Sequence, residues 1–317
     1  MSLRRFILKR LLLTVPILFG VSVITFALVH LTPGDPISQM VAENPNVSQA
    51  EEAQLRAQYG LDGTLWEQYA TWIGNVLSGD FGDVYGSSQS VAGVLISRLP
   101  ETIALGLFGW VFALVIAIPT GVYAAINKDK FGDTASRIIA LSGISIPNFW
   151  LGLMLILVGA LWLGWWDVGA PRTAVYHPEM LWFLILPGIT VGTAAAASIM
   201  RVMRTSMAEE LNKEYVVAAR AKGLPERKII LKHVLRNSMI SVVTLAAMLT
   251  ASIVAGSVVV ETVFNWPGLG RELVQAIHGH EINLIMAITL FTGFFIVLAN
   301  LLADILYAVL DPRIRYD

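Results

Sequence analysis

The 317-residue chain contains no cysteine. Disulfide staples and cysteine metal sites are excluded, although this leaves the compartment open. Histidine is scarce: five residues are scattered at positions 30, 177, 233, 278 and 280. They form no catalytic set, and the closest two, His278 and His280, fall short of the three or four ligands of a usual metal site. The chain has no Gly-x-x-x-x-Gly-Lys-Ser/Thr phosphate loop, and so no recognisable means of hydrolysing ATP. Charge is also sparse, at 14% of residues against 56% hydrophobic.

The chain has long uncharged runs instead. Six are long enough to cross a bilayer as helix, which takes about 20 apolar residues. They run Leu11 to Leu31, Thr102 to Ile126, Ile138 to Trp166, Met180 to Met200, Asn237 to Val260 and Ile282 to Ala303, the last continuing to Leu310. Backbone groups in hydrocarbon must be satisfied internally, which favours helices, and the short alternating strands of a barrel are missing. The expectation is an all-α integral membrane protein. Residues 1–10 form one terminus, 11–31 the first span, 32–101 an extramembrane helical segment, 102–310 a five-span core and 311–317 the other terminus. The first run exceeds a signal-peptide core and lacks a small-x-small cleavage site, so it reads as a retained span.

Basic residues set the expected orientation. Eighteen fall in alternate segments: four at Arg4 to Arg10, three at Lys128 to Arg137, nine from Arg201 to Arg236, and Arg313 with Arg315. The opposite side holds Arg56, Arg98, Arg172 and Arg271. This asymmetry places both termini and the 201–236 loop in the cytoplasm.

In the outer segment, Ser48 with Glu51 reads as a capping box that starts a helix toward Tyr59, with Gly60 as its stop. Leu65, Trp66, Tyr69, Trp72, Ile73 and Val76 recur at helical spacing. Two short amphipathic helices are expected, with the aromatic stripe packed on lipid or neighbouring helices. The segment's acidity also suits a basic docking partner or cationic substrates.

Pro16, Pro119, Pro147 and Pro187 interrupt the first four runs, each removing a backbone donor. Ser142, Ser145 and Asn148 surround Pro147, and Thr190 and Thr193 follow Pro187. Such side chains permit close helix packing or line a water-filled path. The third run, at 29 residues, exceeds one span, and its Trp162, Trp165 and Trp166 suit an outer interfacial belt. Asp304 is the one carboxylate inside a span, and a lone carboxylate is thin support for proton coupling.

The 201–236 loop has a helical pattern of its own. Glu209, Glu210, Leu211, Tyr215, Ala218, Ala219 and Lys222 suggest an amphipathic helix that Gly223 ends. Leu224-Pro225-Glu226-Arg227 restarts a helix, with Pro225 in its first turn. The resulting knob presents small Ala218 and Ala219, with Arg220, Lys222, Arg227 and Lys228 available to acidic groups of a partner. A basic loop that only sets topology and touches anionic lipid is the plainer alternative.

Several motifs in fixed order carry a resemblance over essentially the whole chain. They are Arg4-Arg5 in the opening helix, Leu31-Thr32-Pro33-Gly34-Asp35-Pro36, Tyr215 through Asn237, Glu261 through Gly270, and Asp311-Pro312-Arg313-Ile314-Arg315. The chain resembles the inner-membrane permease subunits of ATP-binding-cassette importers, in their dipeptide, oligopeptide and nickel branch. The resemblance implies a six-span type I importer permease with a cytoplasmic coupling helix, moving short peptides by alternating access; nickel, glutathione and oligosaccharides are the other solutes of such systems. It implies a second homologous permease, two ATPases that bind ATP and magnesium, and an extracytoplasmic solute-binding protein. The chain itself is expected to bind no cofactor, metal or nucleic acid. Tyr215, Ala218, Ala219, Arg220, Lys222, Gly223 and Leu224 would couple to the ATPase. Asn265, Trp266, Pro267, Gly268 and Gly270 would shape the outer gate or receive the binding protein. The broad pattern has Glu where this chain has Val217, and ends Ile-x-Leu-Pro where this chain has His233, Leu235 and Arg236.

Overall fold

The computed structural model describes residues 3–31, 48–58, 62–84, 87, 89–166 and 180–310. Among them the only extended pairing is an isolated bridge between Asp83 and Ser90. The helices in chain order are α1 (Leu3–Leu31), α2 (Gln49–Gln58), α3 (Leu65–Leu77), α4 (Val91–Ile126), α5 (Phe131–Ser145) and α6 (Asn148–Ile156). They continue with α7 (Met180–Leu211), α8 (Glu214–Ala221), α9 (Glu226–Lys228), α10 (Leu235–Val263), α11 (Leu269–His278) and α12 (Ile282–Leu310). Single π-helical stretches, Leu157–Trp162 and Ile229–Val234, extend α6 and join α9 to α10.

Among the described residues, five helical segments are long and apolar enough to cross a membrane: 7–31, 91–126, 180–211, 226–250 and 282–305. The sixth expected span is broken. α5 and the α6 segment meet at 104°. The break is local chemistry: Ile146 is extended (φ −80°, ψ 123°), as the residue before a proline prefers, and Pro147 caps α6. At about 1.5 Å per residue α5 rises about 22 Å, short of the roughly 30 Å hydrocarbon core. Pro16, Pro119 and Pro187 stay inside continuous helices.

Helix ends also differ from the apolar runs. α4 starts at Val91, where the Ser90 hydroxyl accepts from the Gly93 N–H (3.1 Å). α7 continues past Met200 to Leu211, so Arg201 and Arg204 are helical. Charge ends an apolar run without ending a helix, because the backbone ladder does not depend on side-chain polarity. The expected 36-residue loop therefore shrinks to a compact hairpin around α8.

α7 is the central helix, and its apolar stretch is the most buried of the five spanning segments. Gly192 explains how closely α4 packs on it. A Cβ there would lie 2.3 Å from the Gly109 carbonyl oxygen, so only a bare backbone fits, the small-residue contact typical of membrane helices. By contrast α1 exposes Leu12, Val15, Phe19 and Leu28, each more than half exposed, as a lipid-facing helix does.

The outer segment follows its capping signals. Glu51 closes a box on Ser48, and Glu67 one on Thr64. The aromatic stripe of α3 packs on α1. Tyr69 and Ser22 hydroxyls meet at 2.8 Å, His30 Nε2 lies 3.1 Å from Gln68 Oε1, and Phe26 stacks on His30. Gly60, the Thr32 to Pro36 turn and the Asp311 to Arg315 ending lie outside the described residues.

Candidate functional site

The loop forms a knob with defined internal geometry. Gly223 has φ +74°, a conformation that favours glycine. Its N–H donates to the Arg220 carbonyl (2.9 Å), and the Leu224 N–H donates to the Ala219 carbonyl (3.3 Å). This pair of bonds is a Schellman ending, which satisfies carbonyls that α8 would otherwise leave unpaired. Ala219 and Leu224, on either side of the turn, both pack on the main core. Arg220 clamps the turn from outside, donating to both Glu226 oxygens (3.1 and 2.6 Å).

The knob is firmly attached. Val216, Ile229 and Val234 are fully buried in the main core, and Tyr215 packs against it. Glu210, near the end of α7, gathers three partners. Lys213 pairs with it, the Tyr215 hydroxyl donates to it at 2.6 Å, and Asn237 Nδ2 approaches at 3.4 Å. These contacts tie α7, α8 and the start of α10 together. Desolvation of the Tyr215 hydroxyl, with its bond to Glu210, raises its pKa. Sequence reasoning had noted Glu210 only as part of a helical pattern. The signal for its role was a carboxylate near a helix end with Lys213 three residues later.

The exposed face of α8 differs from the expected one. Val217 is 61% exposed, and Ala218, Ala221, Lys222 and Gly223 are exposed beside it. Ala219 turns inward instead, and Arg220 already has Glu226 as partner. Lys222, Arg227 and Lys228 remain exposed.

A second built feature lies at the other end of α10, about 43 Å along the helix axis. The fully buried Glu261 accepts from the Gly270 N–H (2.6 Å), the Arg271 N–H (3.1 Å) and the Thr102 hydroxyl (3.0 Å). Thr102 Oγ1 in turn accepts from the Leu269 N–H (2.8 Å). A carboxylate at the start of α11 satisfies donors that a helix start leaves free. The Trp266 indole, 1% exposed, donates to the Glu101 carbonyl (2.9 Å). Trp266, Gly268 and Gly270 are therefore internal parts of a clasp, and only Asn265 and Pro267 of the expected docking set reach the surface. Asn265 holds a φ of +54° at the turn. Thr102 was not singled out from the sequence, where Glu261 stands only as the first residue of a motif.

The five expected path residues do not converge. Thr190 is fully buried, with its hydroxyl donated to the Leu186 carbonyl, and half-buried Thr193 donates to Ile189. For this pair close helix packing is what the structure displays. Ser142 and Ser145 are exposed on α5, and Asn148 is half-buried at the bend. A groove of about 470 Å³ between α4, α10 and α12, lined by residues including Trp110, Met239, Val242 and Phe295, contains none of the five. Asp304 pairs with Arg10 at 2.7 Å, which ties α12 to α1 and gives the carboxylate a structural partner.

Residues 117–316 match the family described as the binding-protein-dependent transport system inner membrane component, and residues 3–106 match its N-terminal counterpart. The chain belongs to this family. Binding-protein-dependent permeases of similar sequence include the oligopeptide transport system permease protein AppB of Bacillus subtilis, 39% identical over 98% of this chain and 99% of that protein. The dipeptide transport system permease protein DppB of Escherichia coli K12 is 37% identical, and the glutathione transport system permease protein GsiC of the same strain 41%, with the same coverage. The fold is similar to that of the MetNI methionine ABC transporter in inward-facing conformations, with a TM-score of 0.56 and 20% identity over 69% of this chain and 96% of that one. The chain is thus a multi-pass inner-membrane permease subunit with an ABC-importer fold.

Proposed function

We propose that this permease passes short peptides through the membrane, driven by ATPase subunits that dock on the α8 knob. The observation that carries the docking reading is the knob itself: an exposed face of Val217, Ala218 and Ala221 on a turn tied to α7 and α10. With Val217 where an acid stands in the broad pattern, docking rests on apolar contact, supplemented by Lys222, Arg227 and Lys228. The excess of basic residues on the knob's side puts it and both termini in the cytoplasm. ATP and magnesium would be bound by the two ATPases, with a second permease completing the path and an extracytoplasmic binding protein delivering solute. Asn265 and Pro267 are the surface positions through which the clasp would meet that protein. Ser142, Ser145 and Asn148 remain the candidate path residues. Alternating access then follows from two arrangements of α7 and α10 whose balance nucleotide shifts.

The peptide assignment rests on the names of the oligopeptide and dipeptide relatives. Glutathione is the second reading, favoured by the 41% identical glutathione permease. The test is uptake into proteoliposomes by the complete complex with labelled dipeptides, longer peptides and glutathione. ATP-dependent accumulation of peptides supports the assignment. Accumulation of glutathione alone replaces it, and accumulation without ATPase subunits refutes the coupling reading.

A further inference from the structure

A cleft at the knob end of the molecule has chemistry that neither the knob nor the clasp uses. α5 lies along α7, with Asp133 opposite Arg204 and Gly143 opposite Thr193 and Ala197. Between the two helices opens a cavity of about 570 Å³, lined by Arg137, Arg201 and Arg204 on its polar side. Arg204 is already neutralised: it donates to both oxygens of Asp133 at 2.5 and 2.6 Å, and the Asp133 side chain is only 1% exposed. Arg137 and Arg201 form no ion pair among the described residues, and both are exposed. The cleft therefore holds two guanidinium charges beyond the one Asp133 cancels. Thr134 and Thr205 also line it.

The rest of the cleft is apolar. Ile138, Leu141 and Ile144 continue along α5 from Arg137 toward the bend, and Ile138 and Leu141 are 61% and 64% exposed. A matching ligand is anionic at one end and hydrocarbon at the other. Guanidinium groups recognise phosphate oxygens in a two-pronged geometry. A free phosphate ion would leave the isoleucine and leucine wall uncovered, whereas a lipid fills both parts.

We propose that the cleft between α5 and α7 binds the phosphodiester headgroup of an anionic phospholipid, with an acyl chain along Ile138, Leu141 and Ile144. The site is independent of the coupling and cargo readings. Basic residues that only fix topology need neither a cavity nor an apolar wall, and would show no saturable selectivity.

The test uses the full chain, purified with its partner subunits in neutral detergent. It is titrated separately with phosphatidylglycerol and phosphatidylcholine, and bound lipid is counted by native mass spectrometry. Inorganic phosphate serves as competitor. The expected result is saturable binding that prefers phosphatidylglycerol and is not displaced by inorganic phosphate. In Arg137→Gln/Arg201→Gln it should weaken at least about tenfold, from two lost charge-assisted contacts to the headgroup phosphate. The Arg137→Lys/Arg201→Lys pair should keep most of the binding and controls for folding. Equal affinity for both lipids, displacement by inorganic phosphate, or unchanged binding in a stably folded glutamine pair would each overturn the proposal.

Discussion

Gly223 offers a test of the knob in which one variable changes at a time. Its φ of +74° penalises any residue with a Cβ, yet a Cβ built there meets no heavy atom within 4 Å. Steric clash within the chain is therefore removed from the comparison, and backbone strain sets the expected order. Alanine in the left-handed region costs about 1–2 kcal/mol. That is a factor of about 5–30 in the population of the native turn. Asparagine tolerates the region better, and β-branched valine fares worst. Gly223→Asn, Gly223→Ala and Gly223→Val should lower transport per ATP hydrolysed in that order in the reconstituted complex. Global thermal stability should change little, because the turn is exposed. Arg220→Ala removes only the outer clamp, an exposed pair worth about 0–1 kcal/mol, and should sit near the asparagine variant. Full coupling in Gly223→Val, or equal losses across the series, would refute the reasoning from backbone strain.

Three further outcomes follow from the packing. Ala218→Glu should block ATPase association, measured by co-purification, at unchanged thermal midpoint; Ala219→Glu should lower the midpoint, because that side chain packs on the core. Asp133→Ala leaves Arg204 uncompensated at 17% side-chain exposure and should cost about 3 kcal/mol in unfolding experiments, with much of the loss recovered in Asp133→Leu/Arg204→Met. Gly192→Ala must displace α4, since its Cβ would meet the Gly109 carbonyl, and should destabilise the chain by about 1–3 kcal/mol by the same measurement.

Much of this architecture was legible because bilayer spanning demands long apolar runs, and these are visible one residue at a time. The capping box at Ser48 and the stop at Gly223 were legible for a similar reason: each depends on neighbours within a few positions. The box that Glu67 closes on Thr64 is equally local but was not read. What escaped depends on distant partners. Nothing around Glu261 announces that it meets Thr102, 159 residues earlier. Nothing around Asp133 announces Arg204. Hydroxyl content does not separate path from packing, because the Thr190, Thr193 and Ser145 hydroxyls all donate to their own helices. The third run looked like one overlong span, since apolarity continues through Pro147 while the backbone direction does not. Small Ala218 and Ala219 looked equivalent in sequence, and helical phase separates them.

The Glu261 clasp leaves little slack at the far tip of α10. It joins that tip to α4 and α11, so a displacement of one is passed to the other two through the Glu261 and Thr102 bonds. A rod of about 43 Å turned through about 10° at its base sweeps its other end by about 7 Å. Under the proposed coupling, a stroke of modest angle at the knob would be enough to clear a passage as wide as a small solute.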